Sequence, residues 1–179
     1  MKSTCPKGFS LVELMVTVAV LSIVLGIAVP SFNTLVQQHR VTTQSNDLLA
    51  ALTATRSEAI KNNRNIALCA ADAADATTCN TSGNWSHWII TMGSSATVLR
   101  RGSINTASGI QISSTLASNR IVFGADGLAR TGAGNNPVLI GANNGSVVIC
   151  SSKLSTNNRR TIAVTAGGSF STTKSSGGC

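Results

Sequence analysis

The sequence predicts an α+β fold: one long N-terminal helix, membrane-spanning in its first half, packed on an antiparallel β-sheet head. Three observations predict it. The run from Phe9 to Val29, FSLVELMVTVAVLSIVLGIAV, is apolar apart from one charge, Glu13. An amphipathic stripe follows it as far as Ile60. Beyond residue 65 the pattern changes to short β-like runs divided by Gly- and Asn-rich turns.

At about 1.5 Å per residue the first run makes roughly 30 Å of helix, the thickness of a bilayer core. Lys2 and Lys7 precede it. Positive charge before an apolar span holds that end in the cytoplasm and sends the rest across. An ordinary secretory signal carries a small-residue cleavage site after its apolar core. Here Pro30-Ser31-Phe32 follows instead, and the helical character continues. The span is therefore expected to be kept. Glu13 is its awkward residue, because a carboxylate among apolar side chains is costly in lipid without a partner. Either it sits at the lipid–water interface, or it pairs with a positive charge from another subunit or a chain terminus.

After Pro30, whose missing N–H and ring favour a kink or break, residues 30–64 read as an amphipathic helix continuing into the head. Phe32, Leu35, Val36, Val41, Leu48, Leu49, Leu52, Ala59 and Ile60 form the apolar stripe, mostly at three- and four-residue steps. Gln37, Arg40, Gln44, Asp47, Arg56, Glu58 and Lys61 lie between them. Asn62 to Asn65 supply the stop, since Asn tolerates cap conformations. Such a stripe needs a sheet to bury it.

Residues 65–179 read as a β-rich globular head. Strand-like runs occur at 66–69, 88–92, 96–99, 109–112, 120–123, 138–140, 147–150 and 161–165. The turns Gly124-Ala125-Asp126-Gly127, Gly132 to Asn136 and Asn143-Asn144-Gly145 separate several of them, as Gly and Asn accept positive φ. Only 11% of residues are charged and 3% aromatic, with no Tyr. That composition suits an exported β domain with polar turns, and it retains too many apolar residues for wholesale disorder.

Lys7-Gly8-Phe9-Ser10-Leu11-Val12-Glu13-Leu14 resembles the class III signal of type IV prepilins and type II secretion pseudopilins. The resemblance implies a leader of residues 1–8, cut between Gly8 and Phe9 by a prepilin peptidase that also N-methylates Phe9. Residues 9–29 then form the transmembrane and fibre-core helix. It further implies that Glu13 pairs with the N-terminal amine of a neighbouring subunit during assembly, and that Pro30 marks the usual kink. The head is similar to the FimT/FimU–GspH group of minor pilins. The TATRSEAI run (Thr53 to Ile60), the Cys69–Cys79 loop followed by Trp85 and Trp88, IVFGADG, and RRTIAVTAGG (Arg159 to Gly168) carry that likeness. The resemblance implies a minor pilin that primes or caps a type IV pilus, or a minor pseudopilin of type II secretion. Its expected partners are other pilins or pseudopilins, the peptidase and the bacterial inner membrane. The head would lie in the periplasm before assembly and at the cell surface, in the fibre or its tip, afterwards.

Fourteen Lys and Arg face six Asp and Glu; loss of Lys2 and Lys7 with the leader leaves 12. That excess either serves solubility or draws polyanions. The five cysteines become four once Cys5 leaves with the leader. An even number suits two disulfides in an oxidising compartment, and the sequence-near pairs Cys69–Cys79 and Cys150–Cys179 are favoured among three pairings. Buried, reduced cysteines are the alternative.

Some FimT members take up DNA through a C-terminal Gly-Arg-x-Arg motif. The matching stretch here, Gly167-Gly168-Ser169-Phe170-Ser171, lacks both arginines. Arg159, Arg160 and Lys174 remain as candidate phosphate contacts, joined by Arg100, Arg101 and Arg130 if the fold gathers them. Paired arginines at a strand entry are otherwise simply solvated. No metal or cofactor is expected. Asp72 and Asp75 fall short of the roughly six or more oxygens that Ca²⁺ takes, and His39 and His87 are isolated. No nucleophile elbow, phosphate loop or His-Glu-x-x-His occurs, so the chain does not read as an enzyme. Trp85 and Trp88 are read as core packing beside the disulfide loop, with a stacking platform as the alternative.

Overall fold

A computed structural model describes residues 8–82, 85–92, 97–106, 109–132, 138–141 and 145–179. Leader residues 1–7 (with Lys2, Cys5 and Lys7), Ala96, residues 133–136 and Asn143-Asn144 lie outside the described residues. The chain forms two compact units, Met1–Val36 and Gln37–Cys179. One helix, α1 (Leu11–Asn62), runs through both sequence ranges and includes Pro30.

α1 ends for an identifiable reason. Asn63 adopts φ +48°. The Arg64 N–H donates to Ala59 O (3.2 Å) and the Asn63 N–H to Ile60 O (3.3 Å). These are the two bonds of a Schellman stop, with Asn in the left-handed position usually held by Gly.

Within the second unit the inward row of α1 is Val41, Ser45, Leu48, Leu52, Thr55 and Ala59, with Ala51 buried beside it. Its steps alternate four and three, which keeps one narrow line facing inward. Two members are small hydroxyl residues that the apolar stripe omitted; Thr55 Oγ1 donates to Ala51 O (2.6 Å) and so enters the core satisfied. Three residues assigned to the stripe are instead exposed. Ile60 (53% exposed) lies one position past the inward line, and Phe32 and Leu35 belong to the first unit.

Ten strands occur among the described residues: β1 (Ile66–Ala71), β2 (His87–Met92), β3 (Val98–Ser103), β4 (Ile110–Ser114), β5 (Arg120–Phe123), β6 (Ala129–Thr131), β7 (Val138–Leu139), β8 (Ser146–Ser151), β9 (Arg159–Val164) and β10 (Phe170–Ser175). They form two antiparallel sheets, ordered β3-β2-β1-β5-β6-β7 and β10-β9-β8-β4. β1 is buried at all six positions. Its Ile66, Leu68 and Ala70 join the main core with α1, and its Cys69 and Ala71 pack with Ile89 on the opposite face. The loop closed by the Cys69–Cys79 disulfide covers that face through Ala76 and Cys79. A second disulfide joins Cys150 in β8 to Cys179.

The two sheets meet at a few defined contacts. Phe123 of β5 and Phe170 of β10 pack edge-to-face with ring centroids 6.0 Å apart. The Ala129 N–H of β6 donates to Ala166 O in the β9–β10 turn (2.9 Å). Arg56 of α1 reaches the same turn, donating from Nη1 to Gly168 O (2.9 Å) and from Nη2 to Gly167 O (3.3 Å). Gly168 has φ +73°, and a Cβ there would stand 2.5 Å from Gly127 O, so only glycine fits. The segments TATRSEAI, IVFGADG and TAGG thus converge on one guanidinium.

Beside Gly127, Arg130 binds Asp126 with both arms, Nη1 to Oδ1 (2.9 Å) and Nη2 to Oδ2 (2.6 Å). The Leu128 N–H adds a third bond to Oδ1 (3.0 Å). These donors, the guanidinium first, hold the Asp126 carboxyl well below the usual carboxylate range.

A carboxyl depressed in the folded state contributes stability above its unfolded pKa of about 3.9 and loses it as pH falls through the lower folded value. The thermal midpoint should therefore fall more steeply below about pH 4 in the native protein than in Asp126→Asn; parallel pH–Tm curves would remove the ion pair from the account. Phe123→Ala, which empties the junction of the two sheets, should lower unfolding free energy by about 3–5 kcal/mol in a denaturant titration.

Candidate functional site

The N-terminal unit places Gly8, Phe9 and Ser10 outside the helix and exposed. No other side chain comes within 4 Å of where a Gly8 Cβ would stand. Ser10 starts the helix: its Oγ accepts the Glu13 N–H (3.2 Å), and its carbonyl accepts the Leu14 N–H (3.1 Å). That is an N-cap. The Ser10-x-x-Glu13 spacing is the capping-box signature, and it is present in the sequence itself. Glu13 lies in the first turn, where the helix dipole favours a carboxylate.

Residues 11–28 are exposed throughout, from Leu11 (74%) to Ile27 (72%). No described part of the chain covers them, although α1 is by length and composition long and apolar enough to cross a membrane. The hydroxyls in this stretch are satisfied by the helix itself: Thr17 Oγ1 donates to Leu14 O (2.8 Å) and Ser22 Oγ to Val18 O (2.8 Å). The exposed surface of this stretch is therefore apolar with one carboxylate near its start.

The candidate basic residues of the head are dispersed. Arg159 and Arg160 are consecutive in β9 and so point to opposite faces of the sheet. Arg160 is only 8% exposed. It donates from Nη1 to Asn157 O and Arg159 O (both 3.0 Å) and from Nη2 to Thr42 Oγ1 (3.2 Å) on α1. Its charge serves the helix–sheet seam. Arg159 is half-buried, with Gly177 lying against its guanidinium. Lys174 stands opposite Arg160 in the register but is exposed on β10. Arg100 is exposed on β3, and Arg101 donates to Asp75 O (3.5 Å) and Ala76 O (3.4 Å) in the disulfide loop. Arg130 is committed to Asp126.

Trp85 is 2% exposed, and its indole N–H donates to Asn119 Oδ1 (3.3 Å). Trp88 lies over Gly102 of β3, where any Cβ would collide with its ring. Both tryptophans pack. Asp72 accepts a hydrogen bond from Asn80 Nδ2. No group of three or more His, Cys, Asp or Glu suited to a metal occurs among the described residues.

The arrangement can be compared with known proteins. The prokaryotic N-terminal methylation motif matches residues 5–29, and the family described as type II transport protein GspH matches residues 44–168. Two crystal forms of the type IV minor pilin FimU of Pseudomonas aeruginosa (strain PAO1) share the fold. Their TM-scores are 0.51 and 0.52, each at 18% identity over 74% of this chain, covering 91% and 87% of theirs. No curated protein matches. With the GspH match covering well over half of its length and the methylation motif at its start, the chain belongs to the GspH family of type IV pilin-like minor pilins and pseudopilins.

Proposed function

We propose that this chain is a minor pilin that enters a type IV pilus by its N-terminal helix and primes or caps the fibre. The observation that carries the reading is the 11–28 stretch: apolar, helical, and uncovered by any described residue. The methylation-motif match over residues 5–29 supports the processing step. Residues 1–8 are the leader, removed between Gly8 and Phe9, after which Phe9 is N-methylated. Residues 9–29 hold the protein in the inner membrane with the head in the periplasm, and later pack in the fibre core. Residues 30–64 carry the helix into the head of residues 65–179.

Cleavage would leave an amine on Phe9, four residues before Glu13. A carboxylate among apolar helices is tolerated when an opposite charge meets it. A neighbour's Phe9 amine is that charge, so a subunit docked out of register leaves both charges unpaired. A role as a minor pseudopilin in type II secretion is the second reading, favoured by the GspH description of the matching family.

Glu13→Ala should leave processing and membrane insertion intact while the protein drops out of sheared fibres; normal incorporation would sink the register mechanism. A strain lacking the protein should make few pili, and unaltered piliation would argue for the secretion reading. If the head instead captures DNA, Lys174→Ala should weaken salt-sensitive binding in a mobility-shift assay. Arg160→Ala is a poor probe of that function, because it should lower the head's stability by about 1–3 kcal/mol by leaving its acceptors unpaired.

A further inference from the structure

The geometry points to the outer edge of β10 as the docking strand for an extended segment of a neighbouring pilin-class head, paired backbone to backbone; this rests on the fibre reading above. β10 closes one side of its sheet and pairs with β9 at all six positions without a register shift. Its sequence, Phe-Ser-Thr-Thr-Lys-Ser, holds no proline and one charge, and Ser171 to Ser175 are all exposed.

Which backbone groups face outward follows from the hydrogen bonds. The Thr165 N–H donates to Ser169 O (3.1 Å), so residues 165 and 169 face each other across the hairpin. Continuing in steps of two, Ser171, Thr173 and Ser175 turn their N–H and C=O groups toward β9. On its far side β9 turns Val164 and Asn158 toward β8: the Val164 N–H donates to Gly145 O, and Asn158 O accepts the Ser151 N–H. The two sides agree. Thr172 and Lys174 therefore direct their N–H and C=O groups away from the sheet. Only an extended backbone offers complementary groups at that two-residue repeat.

Two other edges carry devices that discourage such pairing. β3 presents Arg100 and Arg101 and shifts register against Ile90/Thr91 of β2, while β7 is two residues long; β4, the far edge of the β10 sheet, has neither a charge nor a shift. β10 has a single Lys and no shift. Its tail is also held out of the way. The Asn158 side chain brackets Gly177, donating from Nδ2 to Gly177 O (2.7 Å) and accepting the Gly177 N–H at Oδ1 (3.0 Å). The Asn157 N–H donates to Ser176 Oγ (2.8 Å), and the Cys150–Cys179 bridge anchors the last residue to β8. Residues 176–179 are thus drawn toward β8 and away from the outer edge of β10. The family's partners are other pilins or pseudopilins, and Lys174 suits a strand that brings a carboxylate opposite it.

Amide hydrogen exchange tests this on the full-length protein, compared between isolated fibres and detergent-extracted membranes. The Thr172 and Lys174 amides should exchange at least about tenfold more slowly in fibres, as paired strand amides do. Thr172→Pro removes one outward donor without touching the β9 ladder. It should keep the native Tm yet reduce fibre content severalfold, while Thr172→Ala should not. Unchanged exchange at both amides in fibres that contain the protein, or normal incorporation of Thr172→Pro, overturns the docking strand alone. Absence of the protein from fibres overturns the fibre reading and this inference with it.

Discussion

Among the described residues the two sheets of the head share no paired strands, and the narrow row on α1 from Val41 to Ala59 makes a single core of them. That row is thin because its steps alternate four and three; the residues beside it, such as Leu49 and Ala54, are only partly buried. Both sheets must therefore approach one line. Small residues make the approach possible: Ser45, Ala51, Thr55 and Ala59 on the helix, Ala70 on β1, and Ala129 on β6. The scarcity of aromatic residues is consistent with this packing. Aromatic bulk is supplied at a few points, by Trp85 in the main core and by the Phe123–Phe170 pair between the sheets.

Arg56 closes the same seam at its upper end. A guanidinium carries five donors in a rigid fork, and here two of its arms gather carbonyls from consecutive glycines of the β9–β10 turn. Glycine at 127 and 168 lets three chain segments meet without a side chain between them. Arg160 plays a comparable part at the other end through Thr42. Both residues are formally surface types that fastening has drawn inward, and the head's positive balance overstates the charge available to a partner.

Much of this was legible in the sequence because it rested on patterns that repeat. The apolar span, the helix stop at Asn63 and the apolar strands β1, β2, β5, β8 and β9 all announce themselves by composition or period. β10 did not, since Phe-Ser-Thr-Thr-Lys-Ser lies at an edge where burial imposes no alternation. β6 is three residues long and hidden inside a turn-rich stretch. The pair Arg159-Arg160 illustrates a different limit: adjacency in a strand means separation in space, and the sequence does not say which of the two meets the helix. Ser10 is legible as a cap from its spacing to Glu13, whose carboxylate also stands out as the one charge of the apolar run.

The short link of residues 63–65 between α1 and β1 has a mechanical meaning. β1 is the first strand after the helix and sits inside its sheet, paired over six positions with β2 and over four with β5. Traction along α1 reaches the sheet at a strand held by neighbours on both sides rather than at an edge strand paired on one. A chain wired in this order is suited to bearing a pull on its stem without its head unravelling.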